Sequence, residues 1–296
     1  MIRVGPAGWS YPDWEGRVYP VPHPPGFHPL AFLAHYFDTI EVNSSFYALP
    51  RAEHAERWAR LVADRPRFQF LVKLNREFTH ASTAHDAAAP ADAALAKEFR
   101  EGIEPLVRTR RLAAILAQFP ASFRFGAAEV RHLGRVRGLF PDVQMVLETR
   151  HASWFTPPAL DTIRGLSYSL AYVDLPPAWN HPPDWHAPTG PIGYFRVHGR
   201  NSAQWFRQGA ERDDKYDYLY DRREVEALAR QAERIASEHE ETSVVTNNHF
   251  GGKAVANALE ILALLRREPA DAPGEIVEAF PHLRGSVRIA GQQPLF

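Results

Sequence analysis

The segment SVVTNNHFGGKAVANALEILALL, residues 243–265, combines a strand–helix unit that predicts the fold with polar residues that predict a site. A short apolar run ends at Asn247, Asn248 and His249, passes through a Gly-Gly pair and becomes an amphipathic pattern after Lys253. An apolar run of strand length followed by a 3.6-residue periodicity is typical of a β-strand that leads into an α-helix. Two amides, an imidazole and a lysine are unusual where a strand ends, since glycine alone suffices to turn the chain. They indicate a binding site.

The same alternation of strand and helix continues along the whole chain. Eight strand-like runs rich in Val, Ile, Tyr and Phe are separated by helical patterns. They span residues 2–9, 39–47, 68–75, 112–119, 143–150, 167–174, 192–199 and 242–249. Strands that alternate with helices pair in parallel through right-handed crossovers, and eight such units indicate a TIM-type barrel. We predict a single α/β domain, a (β/α)8 barrel over residues 1–296 with residues 268–296 as a C-terminal extension; a doubly wound open sheet is the alternative.

Two predicted connections are much longer than the others. Residues 175–191, after the sixth strand, contain too many prolines for a helix, and residues 200–221, after the seventh, are rich in Tyr and charge. Unstructured connections of more than about 12–15 residues are usually functional. We expect ordered loops over the functional end of the barrel.

The composition excludes several kinds of functional site and indicates where in the cell the protein is found. The 296 residues are 45% hydrophobic and carry a formal net charge of -1, so any recognition of anions has to be local. The absence of cysteine excludes disulfides, thiolate metal sites and cysteine nucleophiles. No apolar run reaches the ~18 residues of a membrane span, and the N-terminus lacks a signal-peptide pattern. The expectation is a cytoplasmic protein without membrane contact.

Polar residues collect where the predicted strands end. At five of these ends two polar residues stand two positions apart, so that both side chains point to the same side of the sheet. The pairs are Glu41 with Asn43, Lys73 with Asn75, Glu148 with Arg150, Arg196 with His198, and Asn247 with His249. In a TIM-type barrel the strand ends and the loops after them form the active site. The predicted catalytic residues are Glu41, Glu148, Asp174 and His198.

Large aromatic side chains accompany these polar groups. The predicted strand ends and the loops after them hold Trp9, Tyr11, Trp14, Tyr47, Trp154, Trp179, Trp185 and Trp205. Aromatic residues gathered at one end suggest the walls of a ligand pocket. Packing that holds long loops in place is the alternative.

Six blocks of the sequence are distinctive. They are GPAGWSYPDWEGRVYP (5–20), TIEVNSSFYALP (39–50), FLVKLNREFTH (70–80), LETRHASWF (147–155), YFRVHGRN (194–201) and NNHFGGKAVANALEI (247–261). Together, and in this order, they resemble the YecE-like family (domain of unknown function seventy-two) over nearly the whole chain. The resemblance implies a TIM-type barrel related in architecture to the xylose isomerase and endonuclease IV superfamily. It implies no activity.

The charges at the predicted strand ends favour an anionic ligand. TIM-type barrels often bind phosphate between the loops after strands seven and eight, at a helix N-terminus. Gly251 and Gly252 let the backbone approach closely there, and Lys253 adds charge to the free N–H groups of the helix. A tight turn is the plainer reading of the two glycines. The predicted substrate-binding residues are Trp9, Tyr11, Trp14, Asn43, Tyr47, Lys73, His80, Gln118, Arg150, Trp154, Arg196, Asn247, Asn248, His249, Gly251, Gly252 and Lys253.

These residues predict an enzyme, a hydrolase, lyase or isomerase, that acts on a phosphorylated or otherwise anionic substrate by acid–base chemistry. Glu148 stays ionised beside Arg150 in this interpretation, and His198, which ordinarily titrates near neutrality, shuttles a proton. In a purely structural interpretation, Glu148 with Arg150 and Asp174 with Arg196 are ion pairs that hold the site rigid.

Two other classes of function stay open. In a nucleic-acid-binding or DNA-repair protein, the same cations follow phosphates and the tryptophans stack on bases. A divalent-metal-dependent isomerase or hydrolase is the other. We predict no metal and no cofactor, because most of the candidate ligands have a cation or an amide two residues away and local positive charge opposes a metal ion.

The last five residues, QQPLF (292–296), point to a different partner. Gln292, Leu295 and Phe296 resemble the motif by which bacterial proteins bind the sliding clamp, although Gln293 departs from it. A side-chain hydrogen bond and two apolar anchors on an extended chain end suit a pocket on such a partner. Alternatively, Leu295 and Phe296 pack against the protein's own helices.

Overall fold

A computed structural model describes residues 1–80, 93–205, 207, 209 and 212–290. They form a mixed α/β structure with parallel sheets, as predicted. No helix among these residues is long and apolar enough to cross a membrane. Gln292, Leu295 and Phe296 lie outside the described residues, so the sliding-clamp contact stays a prediction.

The described part of the chain contains eleven strands, and each predicted run contributes at least one. They are β1 (Ile2–Pro6), β2 (Thr39–Val42), β3 (Gln69–Lys73), β4 (Leu112–Gln118), β5 (Met145–Glu148), β6 (Ser169–Leu170), β7 (Tyr172–Asp174), β8 (Ile192–Val197), β9 (Glu241–Thr246), β10 (Ala270–Ala272) and β11 (Val287–Ile289).

Two larger sheets hold the first nine strands, and all their pairs are parallel. One has the order β2-β3-β4-β5-β6 and the other the order β1-β9-β8-β7. The predicted sixth strand is divided between them, because the chain leaves one sheet at Leu170 and enters the other at Tyr172. Between β1 and β2 there is one isolated bridge, from Ala7 to Glu41. The parallel α/β architecture is confirmed, but closure of the two sheets into a TIM-type barrel is not.

Ten α-helices connect and flank the strands in the described residues. They are α1 (Pro29–Leu33), α2 (Ala52–Leu61), α3 (Ala93–Arg108), α4 (Ala127–Leu139), α5 (Pro157–Gly165), α6 (Ser202–Trp205), α7 (Arg212–Tyr216), α8 (Arg222–Ser237), α9 (Lys253–Arg266) and α10 (Gly274–Ala279). The predicted long loop 200–221 therefore carries two short helices, whereas residues 175–191 contain neither helix nor strand, as their prolines predict.

In the described residues, short 3-10 helices follow five of the first nine strands and turn the chain where the predicted site residues begin. They are Ser44–Phe46 after β2, Arg76–Phe78 after β3, Ala152–Phe155 after β5, Phe250–Gly252 after β9 and Pro12–Trp14 after β1. Asn75 caps the second of these, since its side chain accepts a hydrogen bond from the N–H of Glu77. Such tight turns keep the residues after a strand close to its end.

The apolar core has two parts. The larger one lies between strands and helices, and it includes Ala270, Ala272, Ile276 and Leu283 of the C-terminal extension. The smaller one draws residues from both sheets. Its buried members are Ala7, Leu71, Ala114, Leu116, Val146, Ala171, Val173, Ile192, Tyr194 and Val245. Since side chains alternate along a strand, membership of the smaller cluster identifies the side on which the site residues lie.

Candidate functional site

A layer of polar side chains lies at the carboxyl ends of the strands, on the same side as the smaller core cluster. Tyr194 belongs to that cluster, and the two-residue period of β8 places Arg196 and His198 on the same side. In β5 the same period relates Val146 to Glu148. Charged side chains from different strands therefore meet directly beyond the apolar layer.

Arg196 is the centre of a buried network of charges. Its Nε and Nη2 donate to the two carboxylate oxygens of Glu41, at 2.9 and 2.6 Å. Its Nη1 donates to Glu148 Oε2 at 2.8 Å. The hydroxyl of Tyr194 donates a further hydrogen bond to Glu41. None of these four residues has more than 1% of its surface exposed, so the charges are removed from water and depend on one another.

Two more side chains contact Glu148, and a third side chain contacts one of these two. Arg150 donates from Nε to Glu148 Oε1 at 3.0 Å. Nε2 of His198 lies 3.3 Å from the same oxygen, although its alignment falls short of a full hydrogen bond. The amide Nδ2 of Asn247 lies 3.1 Å from His198 Nδ1. With the amide as the donor, Nδ1 accepts and the ring hydrogen sits on Nε2, directed at the carboxylate.

This environment fixes the charge states of Glu148 and His198. Burial alone raises the pKa of Glu148, but Arg196, His198 and Arg150 outweigh it and hold that pKa well below its ordinary value. Burial lowers the pKa of His198 to about 3, and Glu148 opposes this only in part. The expectation that His198 titrates near neutrality is therefore wrong: the ring is fully buried and stays neutral.

Lys73 lies beside this network in a different environment. Its Nζ is 4.0 Å from the centroid of the Phe46 ring. Among the described residues no carboxylate lies within ion-pair distance of this nitrogen. Burial lowers the pKa of Lys73 to about 7, with Arg196 acting in the same direction and Glu41 and Glu148 against it. At neutral pH the amine is present in both protonation states.

His80 and Gln118 form a smaller polar contact. Gln118 Nε2 lies 3.5 Å from His80 Nε2, and the hydroxyl of Thr79 lies 2.8 Å from His80 Nδ1. Burial lowers the pKa of His80 to about 4, and the positive charges of Lys73 and Arg150 add to this effect. His80 is therefore neutral near neutral pH and adds no charge to the site.

A narrow cleft of about 50 Å³ brings together many of the predicted residues. Its walls are Tyr11, Asn43, Tyr47, Lys73, Arg196, Tyr216, Asn247 and His249. Three of these, Tyr11, Asn43 and Tyr47, also line an adjoining pocket of about 290 Å³ that includes Trp9. The rings of Tyr11 and His249 stack with centroids 4.7 Å apart. We call these two spaces the cleft and the outer pocket.

Asp174 does not join the buried network. Val173 belongs to the inner cluster, so its neighbour Asp174 points to the other side of β7. There it accepts two hydrogen bonds from Arg200 Nε, each at 3.0 Å, and one from the hydroxyl of Tyr220. Arg196, its partner in the structural interpretation of the sequence, binds Glu41 and Glu148 instead. We do not retain Asp174 in the site.

Two of the predicted pocket tryptophans are core residues. Trp14 and Trp154 are fully buried. Trp14 Nε1 donates to the carbonyl of His249 at 2.8 Å, and Trp154 Nε1 donates to the carbonyl of Phe123 at 2.8 Å. Their indoles hold loops in place, which was the alternative interpretation, and Trp9 is the tryptophan that lines the outer pocket.

The Gly-Gly turn differs from the phosphate site predicted there. Gly251 and Gly252 have φ angles of 64° and 85°, which favour glycine. The N–H of Gly251 donates to a carboxylate oxygen of Asp13 at 2.5 Å, and Lys253 pairs with Asp217. Carboxylates of the protein itself occupy the positions expected for a phosphate.

Asn248 also points away from the cleft. Its Nδ2 donates to Asn257 Oδ1 and to the carbonyl of Tyr218, each at 2.9 Å. Its neighbours Asn247 and His249 line the cleft. The alternation along the chain after β9 thus separates a structural amide from two site residues.

Two aromatic residues of the site, Tyr194 and Tyr216, are not among the predicted residues, whereas Trp205 is. Tyr194 binds Glu41, and its position two residues before Arg196 is a signal that the strand period offers. Tyr216 accepts a hydrogen bond from Arg150 and lines the cleft. The guanidinium carbon of Arg150 lies 5.7 Å from the ring centroid of Trp205. Tyr216 and Trp205 come from the long loop 200–221, where no periodicity singles out one residue.

Parallel sheets with a buried charge network and a cleft at the carboxyl ends of the strands define an α/β protein with a candidate ligand site at those ends. The model of the family described as "Protein of unknown function DUF72" matches residues 3–279. The chain belongs to this family, as its resemblance to the YecE-like proteins predicted.

Related proteins agree with this assignment. UPF0759 protein YunF of Bacillus subtilis (strain 168) is 27% identical over 90% of this chain and 95% of its own length. UPF0759 protein YecE of Escherichia coli (strain K12) is 30% identical, over 52% of this chain and 50% of its own length.

Two solved structures of family members resemble this one. A DUF72 family protein of Thermotoga maritima is 30% identical with a TM-score of 0.75, over 90% of this chain and 99% of its own. One of Enterococcus faecalis is 26% identical with a TM-score of 0.77, over 90% of this chain and 96% of its own. The family is described without an activity, so the function has to be argued from the site.

Proposed function

We propose that this protein is an enzyme that binds a small anionic substrate in the cleft and transfers protons there. The observation that carries the proposal is the position of Lys73. It is a basic side chain on the wall of the cleft without a carboxylate partner at ion-pair distance among the described residues. A bound anion supplies the negative charge that this position lacks.

The charges around the cleft support an anionic ligand. Three basic side chains, Lys73, Arg150 and Arg196, accompany two carboxylates, Glu41 and Glu148. Both carboxylates are already engaged by guanidinium groups. When Lys73 is protonated, one positive charge is left over, and a partly buried site strengthens its attraction for an anion.

The buried network supports function as well as structure. Removing charges from water is costly, and a buried ion pair is seldom more stabilising than apolar residues of the same size. Such a network at the end of the strands, next to a cleft, is typical of a site in which charges are held in position before the substrate binds. Glu41 and Glu148 fix the guanidinium of Arg196 on the wall of the cleft.

Lys73 is the group best suited to exchange protons at neutral pH. Its pKa of about 7 lies near the pH at which a general acid or base works best. Glu148 stays ionised and His198 stays neutral near pH 7, so their predicted part in proton transfer passes to Lys73. Both keep a role in orienting the site.

We also propose that the two parallel sheets are halves of one eight-stranded barrel. The chain is continuous from β6 to β7 through Ala171, and the inner cluster draws on both sheets. β1 and β2 come very close, since a Cβ atom on Gly5 would lie 1.7 Å from the carbonyl oxygen of Thr39. The N–H of Gly8 donates to the carbonyl of Glu41 at 2.8 Å. The cleft then lies where TIM-type barrels have their active sites.

The two other classes of function have less support. Among the described residues there is no group of three or more His, Asp or Glu side chains placed to hold a metal ion. A nucleic-acid site calls for a groove of several cations that follows a phosphate backbone, whereas the cations here converge on one narrow cleft.

Calorimetric titration with sulfate and with inorganic phosphate at low ionic strength tests the proposal. Lys73→Met removes the charge on the cleft wall, so we expect the dissociation constant to rise roughly tenfold to a hundredfold, as for loss of one charge-assisted hydrogen bond. Lys97→Met is the matched control, since the Lys97 side chain is 77% exposed and lies 3.8 Å from Glu101. Equal anion affinity in the two variants would contradict the proposal.

A further inference from the structure

We infer that Lys73 is a nucleophile that forms an imine with an aldehyde or ketone group of the anionic substrate. The inference rests on the proposed function, because it names the chemical class of the ligand in the same cleft. It adds that the substrate carries a carbonyl group as well as a negative charge.

The first support is the position of Lys73 on the wall of the cleft, where no carboxylate of the described residues lies within ion-pair distance of its Nζ. Lys97 and Lys253 each lie within ion-pair distance of a carboxylate, Glu101 and Asp217 respectively. A carboxylate at this distance competes with any ligand for the amine. Lys73 has the ring of Phe46 as its neighbour instead, and its side chain lines the cleft.

The second support is the set of charges around the amine. The ionisable groups that face it come from β2, β5 and β8, or the residues directly after them, and from the turn after β3. They are Glu41 on β2, Glu148 and Arg150 at the end of β5, Arg196 on β8, and the neutral ring of His80 after β3. Desolvation together with neighbouring cations is the combination that activates amine nucleophiles in enzymes that form imines. The same guanidinium groups attract the negative charge of the substrate.

The reaction closes without any further reagent. The lone pair of Lys73 Nζ attacks the carbonyl carbon, a C–N bond forms, and the carbonyl π electrons move to oxygen, which takes up a proton. The nitrogen loses a proton to solvent and the oxygen takes up a second proton from solvent. Water then leaves as the C–O bond breaks and the nitrogen lone pair forms the second C–N bond. The product is a protonated imine. The amide of Asn247 and the hydroxyl of Tyr216 line the same cleft and offer polar contacts for the departing oxygen.

The reactivity of Lys73 can be measured directly because the chain has four lysines, Lys73, Lys97, Lys215 and Lys253. We propose treating the intact protein with glyoxylate, a carboxylate-bearing aldehyde, and sodium cyanoborohydride. The hydride reduces the imine to a carboxymethyl amine, which peptide mass spectrometry locates. An ordinary lysine amine is neutral in roughly one molecule in 2,500 at pH 7. We expect labelling of Lys73 at pH 7 to be at least about tenfold faster than labelling of the other three.

The pH profile distinguishes activation from mere exposure. Labelling of Lys73 should rise with a midpoint near its pKa of about 7, because the neutral amine reacts. His80, with a pKa of about 4, does not titrate in this range. Labelling of Lys73 at the rate of the other lysines, or only at strongly alkaline pH, would overturn the inference. These measurements use the unaltered protein, so they do not depend on whether a variant folds.

A neutral aldehyde separates the two proposals. If propionaldehyde and glyoxylate both label Lys73 selectively and equally fast, imine formation stands and the anion-binding proposal fails. If sulfate binds and Lys73→Met weakens it, yet neither aldehyde labels Lys73 selectively, anion binding stands and imine formation fails. We expect glyoxylate to react faster than propionaldehyde, and sulfate to slow the glyoxylate reaction.

Discussion

Lys73 is the last residue of β3 and Lys253 is the first residue of the helix after β9, and their surroundings differ. Lys253 pairs with Asp217, and the N–H of Gly251, in the turn before its helix, donates to Asp13. Lys73 has an aromatic ring beside it and lies on the wall of the cleft. The protein's own carboxylates bind the groups after β9, whereas the charge of Lys73 at the end of β3 remains available to a ligand.

The comparison shows why cations at strand ends are not sufficient to identify a ligand site. Strand periodicity tells on which side a lysine lies, but its partner can come from a distant part of the chain. Asp13 and Asp217 stand 238 and 36 residues away from the groups they bind. A charge becomes available to a ligand only where no such carboxylate reaches it.

The largest effect is expected from removing Arg196, which links the cleft to the carboxylates below it. Arg196→Met leaves Glu41 and Glu148 buried with only part of their partners, so we expect the free energy of unfolding to fall by about 3–5 kcal/mol. Urea denaturation at neutral pH measures it. Arg222→Met is the control, because the pair of Arg222 with Glu226 is exposed and contributes at most about 1 kcal/mol. A loss in Arg196→Met as small as in the control would mean that the charges beside Lys73 are not coupled.

Glu148→Gln removes the charge that opposes the low pKa of Lys73. We expect a loss of about 2–3 kcal/mol at pH 7, since hydrogen bonds to a charged group are replaced by weaker ones. The pKa of Glu148 is held well below its ordinary value of 4.5, so its contribution is complete above pH 4.5 and disappears as the pH falls through the folded-state pKa.

The unfolding free energies of the wild-type protein and Glu148→Gln should therefore converge as the pH falls below about 4.5, the ordinary value. Denaturation at a series of pH values records the convergence. A difference between the two proteins that stays constant between pH 7 and pH 3 would show that the charge of Glu148 contributes nothing to stability.

A smaller effect is expected at the Gly-Gly turn that precedes Lys253. Asp13→Ala leaves the N–H of Gly251 without its acceptor, and we expect a loss of about 1–2 kcal/mol in the free energy of unfolding. Asp13→Asn retains an acceptor and serves as the matched control. If Asp13→Ala is as stable as the wild-type protein, the hydrogen bond from Gly251 to Asp13 contributes nothing. The carboxylate then does not fill the place of an anionic ligand at this turn.

The smallest effect is expected for Lys253→Met. Its pair with Asp217 is partly exposed, so stability should change by less than about 1 kcal/mol, and the affinity for sulfate should stay unchanged. Sulfate affinity would then fall in Lys73→Met and stay unchanged in Lys253→Met. A loss of sulfate affinity as large as in Lys73→Met would restore the phosphate site that the sequence predicts at this turn.

Much of this arrangement can be predicted from the sequence, because it depends on strand periodicity. Spacing by two residues correctly groups Glu148 with Arg150 and Arg196 with His198. The same rule separates Asp174 from Val173 and Asn248 from Asn247, so it excludes Asp174 and Asn248 from the site. It also places Tyr194 on the same side of β8 as Arg196.

Other features depend on contacts that no local pattern records. Burial of Trp14 and Trp154 follows from how the loops pack, and an indole in a loop is equally compatible with a pocket. The pKa of His198 depends on complete desolvation, which its position in a strand does not reveal. The place of Tyr216 in the cleft depends on the path of a long loop.

The most direct test of the account is the titration of Lys73 itself. With four lysines in the chain, nuclear magnetic resonance of isotopically labelled lysine side chains resolves each ε-ammonium group, and Lys73→Arg assigns one signal. We predict a midpoint near pH 7 for Lys73, which moves to higher pH when sulfate is added because a bound anion favours the protonated amine. A midpoint near the ordinary value of about 10.4, unchanged by sulfate, would contradict the central claim that Lys73 is the desolvated amine of an anion-binding cleft, without an ion-pair partner among the described residues.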